Sequence, residues 1–264
     1  MNSVDADIAD CRYAIFSGGV GGAKLALGLY LEQSSEELLV IGNVGDDFNH
    51  WGLHISPDLD TLMYTLAGVA DPDRGWGRAQ ESWTVLDTLS DLGGIDWFRL
   101  GDRDLAVHLE RSVRMGEGET LSTVTRHLCR AFGVTATLVP PTNDEVRTMV
   151  DTTGRTLSFQ EYFVRERCEP LVTGLLYQGA SQATLLPEIG RSLKHASRCG
   201  RAPPQKDQSG SERQELPRFA PFCARAVSAP RERPSGAGVP PPIAGPRPSP
   251  PPAACRALTA RSRW

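Results

Sequence analysis

Residues 13–42, YAIFSGGVGGAKLALGLYLEQSSEELLVIG, decide the fold of this chain. An apolar run at 12–16 is followed by four glycines, by leucines at helical spacing over 21–33, and by a second apolar run at 37–42. The order strand, glycine turn, helix, strand describes a βαβ unit, which implies a parallel sheet with a right-handed crossover. We therefore predict an α/β fold built on a parallel sheet.

A mostly helical stretch follows, because four segments between about 58 and 132 repeat their apolar residues with a period near 3.6. VTATLVP (134–140) is expected to be a strand, and the runs on either side of Thr153-Gly154 resemble a hairpin. LVTGLLYQG (171–179) is expected to return to the parallel sheet. These elements predict one folded domain over 12–196 with a helical insertion.

The net charge of −4 is the sum of an acidic N-terminal region and a basic C-terminal region. Residues 191–264 hold 14 Lys and Arg against 4 Asp and Glu, a net of +10, so residues 1–190 carry a net of −14. The same segment holds 14 of the 20 prolines and loses the periodicity, so ordering it would cost more entropy than burial returns. We predict a disordered, basic, proline-rich tail over 197–264, without the interleaved aromatics typical of RNA binding.

Composition excludes several classes of protein. No stretch has the roughly 18 uncharged apolar residues of a membrane span, and the acidic N-terminus lacks the basic region of a secretory signal. A cytoplasmic location is therefore expected. The 6 cysteines form no CxxC pair, which disfavours a zinc site and predicts free thiols.

The glycine-rich turn is the first candidate site. Glycines let the backbone approach an anion, and the amides of the following helix point at it. This predicts a phosphate or diphosphate site formed by the small residues of the turn and the lysine after it: Ser17, Gly18, Gly19, Gly21, Gly22 and Lys24. The sequence fits neither a Walker A loop nor GxGxxG, and a tight turn without ligand is the alternative.

The segment NVGDDFNH (43–50) follows the second predicted strand. Ligands of open parallel sheets bind beyond the carboxyl ends of the strands, so this segment is expected to face the same crevice as the glycine turn. Asp46 and Asp47 are suited to Mg²⁺, which takes one or two carboxylates together with substrate phosphates. A solvated acidic loop is the alternative.

Two further blocks carry charge. In SPDLDT (56–61), Asp58 is explained by capping, whereas Asp60 is a candidate to hold a metal, accept a proton or bind a ring N–H. In RLGDRD (99–104), Arg99 suits recognition of a diphosphate or a polar ring. The alternatives are a simple preference for the helix dipole and a surface ion-pair network with Asp102 as a helix cap.

Together these blocks resemble the 2-phospho-L-lactate transferase family of coenzyme F420 biosynthesis. The resemblance covers about 13–190, and the PDLDT and LGDRD blocks are its most specific part. The matching segments occur in family order: SGGVGGAKL, IGNVGDDFNHWGLHISPDLDTLMYTLAG, RGWGRAQESWTV, WFRLGDRDLAVHLERS, GEGETLSTVT, PPTNDEVRTMVDT and LSFQEYFVRERCEP.

The resemblance implies a Rossmann-like fold and a Mg²⁺-dependent transfer. The donor would be a guanosine diphosphate ester of lactate (LPPG) or of enolpyruvate (EPPG), and the acceptor the 5′-hydroxyl of the deazaflavin Fo. The products would be F420-0 or its dehydro form, and GMP. Asp60 and Arg99 stand where the family contacts Fo, and Asp60 is also the candidate catalytic base. The donor's acyl group stays open, with enolpyruvyl favoured by the bacterial style of the sequence.

The resemblance stops near 196, where family members continue with further sheet elements. A frameshift is the simplest explanation, and a genuine divergent tail is the alternative. A frameshift predicts a C-terminally incomplete domain with low stability and little or no transferase activity. We expect small-molecule substrates, no nucleic acid, no membrane, and a homodimer.

Three other interpretations explain less of the sequence. A sugar-nucleotide-binding regulatory protein would share the SGG loop, but this interpretation leaves the RGWGRAQESW and WFRLGDRD blocks unexplained. A nicotinamide-dependent dehydrogenase would need an intact GxGxxG and an acidic residue where Ile41-Gly42-Asn43 stands. A disordered interaction protein would leave residues 13–190 unexplained.

Overall fold

The computed structural model describes residues 11–32, 37–195 and 198–199. In this part of the chain nine strands occur, in chain order β1 (Tyr13–Ser17), β2 (Leu38–Gly42), β3 (Phe48–His50), β4 (Leu53–Ile55), β5 (Thr137–Val139), β6 (Arg147–Thr152), β7 (Thr156–Ser158), β8 (Val172–Gln178) and β9 (Arg198–Cys199). The helices are α1 (Gly19–Glu32), α2 (Pro57–Leu66), α3 (Thr84–Asp91), α4 (Asp102–Gly116), α5 (Leu121–Ala131) and α6 (Pro187–His195), with a π-helical turn at Glu161–Arg165.

The central sheet is parallel, with strand order β5-β2-β1-β9. The chain moves outward from β1 through β2 to β5 and then returns to the other side of β1. The strand order therefore reverses at β1, directly beside the glycine turn, and this is where open α/β sheets bind ligands. The predicted α/β class is confirmed, and α2 to α5 form the expected helical insertion between β4 and β5.

The core explains why β2 reads as an unbroken apolar run. All five of its residues are buried, because α1, α2 and α5 cover one face of the sheet and α6 covers the other. At the end of β2, a Cβ on Gly42 would lie 2.5 Å from Leu59 Cδ2. A glycine there lets α2 approach closely, which brings the PDLDT block to the carboxyl end of β2.

Two helices of the insertion cap one another. The Asp102 carboxylate, on the first residue of α4, accepts the N–H groups of Thr84 and Val85 at 3.1 Å each at the start of α3. The Glu81 carboxylate, just before α3, accepts the N–H groups of Arg103 and Asp104 at 2.8 and 2.9 Å at the start of α4. Each helix therefore has its exposed amides satisfied by the other's leading segment.

Two expectations about strands need correction or addition. β8 does not return to the parallel sheet, because it pairs antiparallel with β6 in a separate sheet of order β7-β6-β8. The β6–β7 hairpin is as predicted. The hairpin β3–β4 was not predicted, and it turns through Trp51 and Gly52, whose φ angles of 54° and 78° are both positive.

Within the predicted tail, Arg198 and Cys199 are described, and they pair with β1. The rest of 197–264 lies outside the described residues. In the described part of the chain no helix is long and apolar enough to cross a membrane. Cys11, Cys129 and Cys168, which lie in this part of the chain, are free thiols.

Candidate functional site

The glycine turn joins β1 to α1 with little room for side chains. Gly19 has a φ of +64°, which favours glycine. A Cβ on Gly18 would lie 3.1 Å from both Asn43 Cβ and Asp58 Oδ2, and a Cβ on Gly22 would lie 2.6 Å from Ser17 Oγ. Two neighbouring segments therefore press against this turn, and glycine is required by the close approach.

Asp58 connects the turn after β1 with the segment after β2. Its carboxylate accepts the Gly19 N–H at 2.6 Å and an Asn43 side-chain N–H at 2.7 Å. The Asn43 carbonyl oxygen in turn accepts the Gly45 N–H at 3.0 Å. Capping of α2 was the sequence-based explanation for Asp58, but its carboxylate instead reaches across to another element. Asn43 was not singled out from the sequence.

Asp46 and Asp47 are both buried at this edge of the sheet. Burial, together with the charge of Asp58, raises the pKa of Asp46 to about 7. Burial also raises the pKa of Asp47, although its Oδ2 accepts a hydrogen bond from Ser56 at 2.9 Å and lies 3.1 Å from His54 Nε2. The Oδ1 atoms of both aspartates are buried without a hydrogen-bond partner.

The two oxygens without a hydrogen-bond partner, Asp46 Oδ1 and Asp47 Oδ1, are candidate metal ligands. Among the described residues no group of three His, Cys, Asp or Glu side chains forms a complete metal site. Mg²⁺ needs only one or two carboxylates when substrate phosphates supply further oxygens, and two buried carboxylates with open oxygens meet that need. The residues present therefore fit Mg²⁺ bound jointly with a phosphorylated ligand.

Asp60 lies in a buried ion pair with Arg111. The Arg111 guanidinium donates to Asp60 Oδ2 at 3.1 Å and also to Asp60 Oδ1. Although burial disfavours the charge, Asp60 raises the pKa of Arg111. His108 Nδ1 lies 3.6 Å from Asp60 Oδ2. The carboxylate of Asp60 is thus oriented by a fixed cation on α4.

The sequence reasoning did not identify Arg111, although a signal exists. The buried positions on α4 recur with helical spacing, at Asp104, Val107, His108 and Arg111, and three of the four residues are polar. His108 Nε2 lies 3.2 Å from Asp104 Oδ1, which also accepts the Tyr64 hydroxyl at 2.6 Å. Charged residues on a helix's inward face indicate buried polar partners, which here lie on α2.

Arg99 and Lys24 are both exposed. The Arg99 guanidinium carbon lies 4.5 Å from the centre of the Trp83 ring, and that of Arg74 lies 5.1 Å from the same centre. In the described part of the chain no carboxylate forms an ion pair with Arg99. Arg99 is therefore a cation held by an aromatic ring.

Four tryptophans lie between residues 51 and 97, at positions 51, 76, 83 and 97. Trp97 is part of an aromatic cluster with Phe48, His50 and Phe98, in which burial lowers the pKa of His50 to about 4. Trp51 contacts the same cluster through His50. Trp51 and Trp97 contribute to this packing, and the Arg165 guanidinium carbon lies 5.7 Å from the centre of the Trp97 ring. Trp83 and the exposed Trp76 also have a guanidinium over the ring.

Contacts connect Gly19, Asp58 and Asp46 at the ends of β1 and β2. Asp58 bonds to Gly19 and lies close enough to Asp46 to raise its pKa. A Cβ on Gly75 would lie 3.1 Å from Val20 Cγ1, which places the segment carrying Arg74 against the start of α1. Two segments therefore contact the region of the glycine turn: the start of α2, through Asp58, and the segment around Gly75.

An open parallel sheet with a glycine turn at its strand-order reversal places this chain among the α/β proteins whose ligands bind at the carboxyl ends of the strands. A family model narrows this class: the family described as 2-phospho-L-lactate transferase CofD matches residues 14–198. The chain belongs to this family, as the resemblance of its sequence blocks predicted.

Relatives named phosphoenolpyruvate transferase are similar over the same region. The protein from Streptomyces avermitilis is 38% identical over 190 residues, covering 70% of this chain and 60% of the relative. That from Mycolicibacterium smegmatis is 40% identical over 201 residues, covering 70% of this chain and 62% of the relative. The chain therefore spans about three fifths of the length of these relatives.

Two solved structures of protein BH3568 from Bacillus halodurans are also similar. One has a TM-score of 0.46 at 13% identity, covering 71% of this chain and 57% of that chain. The other, described as a member of the upf0052 family, has a TM-score of 0.45 at 13% identity, covering 70% and 56%.

Proposed function

We propose that this chain carries the substrate site of a transferase acting in coenzyme F420 biosynthesis. The reaction moves a phospholactyl or phosphoenolpyruvyl group from LPPG or EPPG to the 5′-hydroxyl of Fo, with GMP as the leaving group. The observation that carries the proposal is the meeting of the glycine turn with Asp46, Asp47 and Asp58 at the ends of β1 and β2. The names of the curated relatives support enolpyruvyl as the acyl group.

The donor's diphosphate would bind at the start of α1. The first amides of a helix have no partner within the helix, and they attract an anion together with the helix dipole. Gly21 and Gly22 offer such amides without side chains in the way, and Lys24 adds a positive charge one turn further on. Because Asp58 already accepts the Gly19 N–H, the diphosphate would rely on the amides after it.

Asp46 and Asp47 would hold Mg²⁺ against the same diphosphate. The cation would supply neutralisation of the charge that develops on the diphosphate during the transfer. Asp58 contributes a third negative charge nearby. It also holds the turn after β1 against the segment after β2, because it accepts hydrogen bonds from Gly19 and Asn43. The buried Asp46 and Asp47 would bind the cation more strongly than an exposed acidic loop.

Asp60 and Arg99 would contact Fo. Each Asp60 oxygen retains a lone pair besides the one used by Arg111, so it can accept a hydrogen bond from a ring N–H or from the attacking hydroxyl. Because Arg111 fixes the Asp60 carboxylate in place, Asp60 would orient the acceptor. Arg99 is free to donate to polar atoms of the ring.

Fo binding followed by fluorescence tests the proposal. Saturable binding by the wild-type chain is expected, weakened about 10- to 100-fold in Arg99→Ala, as is typical for loss of a hydrogen bond from a charged group. Asp60→Asn should also weaken it, and thermal melting would report whether that variant keeps its fold. GMP release in the presence of Fo, EPPG and Mg²⁺ would establish the transfer. Binding of a UDP-sugar and not of Fo would refute the proposal in favour of a regulatory protein.

A further inference from the structure

Trp83 stands out because two guanidinium groups lie over one indole. Arg99 and Arg74 approach its ring centre to 4.5 and 5.1 Å. Arg74 is also tied to Asp71, with an N–O distance of 2.7 Å, so its position does not depend on the indole alone. For Arg99 the ring contact is the interaction that the structure provides.

The position of Trp83 is fixed independently of any ligand. Trp83 occupies the N-cap position of α3, between Glu81 and the amides that Asp102 accepts. Because Glu81 accepts amides at the start of α4, the segment around Trp83 is fastened to α4 from both sides. Arg99 lies three residues before Asp102. The Trp83 indole is therefore held at a fixed position relative to the Arg99 backbone.

An exposed arginine without a partner samples many rotamers, and ordering it on binding reduces affinity. A ring that already holds the guanidinium removes part of this cost. Resting on the proposed function, in which Arg99 contacts Fo, we infer that Trp83 is a positioning residue that holds the Arg99 guanidinium ready for the acceptor. Trp83 acts through Arg99, so its contribution disappears when Arg99 is absent.

A double-mutant cycle on Fo affinity tests this dependence. Trp83→Leu should weaken Fo binding about three- to tenfold, Trp83→Phe should restore most of the affinity because it keeps an aromatic ring, and Trp83→Leu combined with Arg99→Ala should bind as Arg99→Ala does. Trp76→Leu is the matched control, because the exposed Trp76 ring lies 5.3 Å from the Arg74 guanidinium carbon. It should leave Fo affinity unchanged.

A measurement without Fo checks the contact itself. In an arginine-labelled chain, the side-chain resonances of Arg99 should be shifted upfield by the indole in the wild type and in Trp76→Leu, and not in Trp83→Leu. Wild-type binding of Fo with additive losses in the cycle would overturn the inference and leave the proposed function standing. An upfield-shifted Arg99 with no Fo binding by the wild type would instead overturn the proposed function.

Discussion

Asp46→Asn should stabilise the metal-free protein at neutral pH and change its stability little near pH 4. The pKa of Asp46 is about 7 in the folded chain, against 3.8 ordinarily. Between these values the folded state keeps a proton that the unfolded state has lost. The free energy of unfolding therefore falls as the pH rises from about 4 to about 7, and it levels out above that range.

The size of the effect follows from the shift. Raising the pKa from 3.8 to about 7 is roughly three units, and each unit corresponds to about 1.4 kcal/mol, so the buried carboxylate costs up to about 4 kcal/mol at neutral pH. Asparagine has nearly the same shape and no charge to bury. Asp46→Asn should recover most of that cost at pH 8 and little of it at pH 4.

Urea unfolding followed by circular dichroism at several pH values, with EDTA present, would measure the difference between variant and wild type. Asp71→Asn is the control of opposite sign, because the backbone N–H of Arg74 lowers the pKa of Asp71. That variant should lose stability above the ordinary pKa of aspartate and match the wild type in acid. A constant difference between Asp46→Asn and wild type at every pH would refute the reasoning.

Three further outcomes are expected. Gly101→Ala should cost about 1–3 kcal/mol in urea unfolding, because its Cβ would lie 2.3 Å from the Glu81 carboxyl carbon and disturb a helix cap. Arg111→Ala should cost about 3–5 kcal/mol by leaving a buried carboxylate unpaired, whereas Arg114→Ala, whose guanidinium pairs with carboxylates at the surface, should cost less than about 1 kcal/mol. Millimolar Mg²⁺ added together with EPPG should raise the melting temperature at pH 8 in wild type and not in Asp47→Asn; an equal rise in both would remove Asp47 from the cation site.

The sequence predicted the elements whose signal is local. The apolar runs before and after the glycines became β1 and β2, and the 3.6-residue periods of the middle stretch became α2 to α5. The hairpin β3–β4 was missed because each strand has three residues and the turn uses Trp51 in a left-handed conformation, which is rare for a bulky side chain. β8 was assigned to the wrong sheet because a run of apolar residues does not specify its neighbour.

The candidate site also has a part that the sequence predicted and a part that it did not. Which residues carry charge near the strand ends could be predicted, because the carboxyl ends of parallel strands share one edge. Their partners could not, because Arg111 and Asp60 are 51 positions apart and Gly19 and Asp58 are 39 positions apart. Such pairs are determined by how α2 and α4 pack, and that depends on the whole core.

The mutual capping of α3 and α4 also joins the two ends of the segment from Glu81 to Asp102, which contains α3. Its two ends are fastened by Glu81 and Asp102, while Leu92 at its apex is 78% exposed. A peptide tag or a small reporter domain inserted after Leu92 would be anchored at a rigid base and would transmit little strain to the sheet. This apex is thus the natural place to attach a probe to the protein while leaving the ends of β1 and β2 untouched.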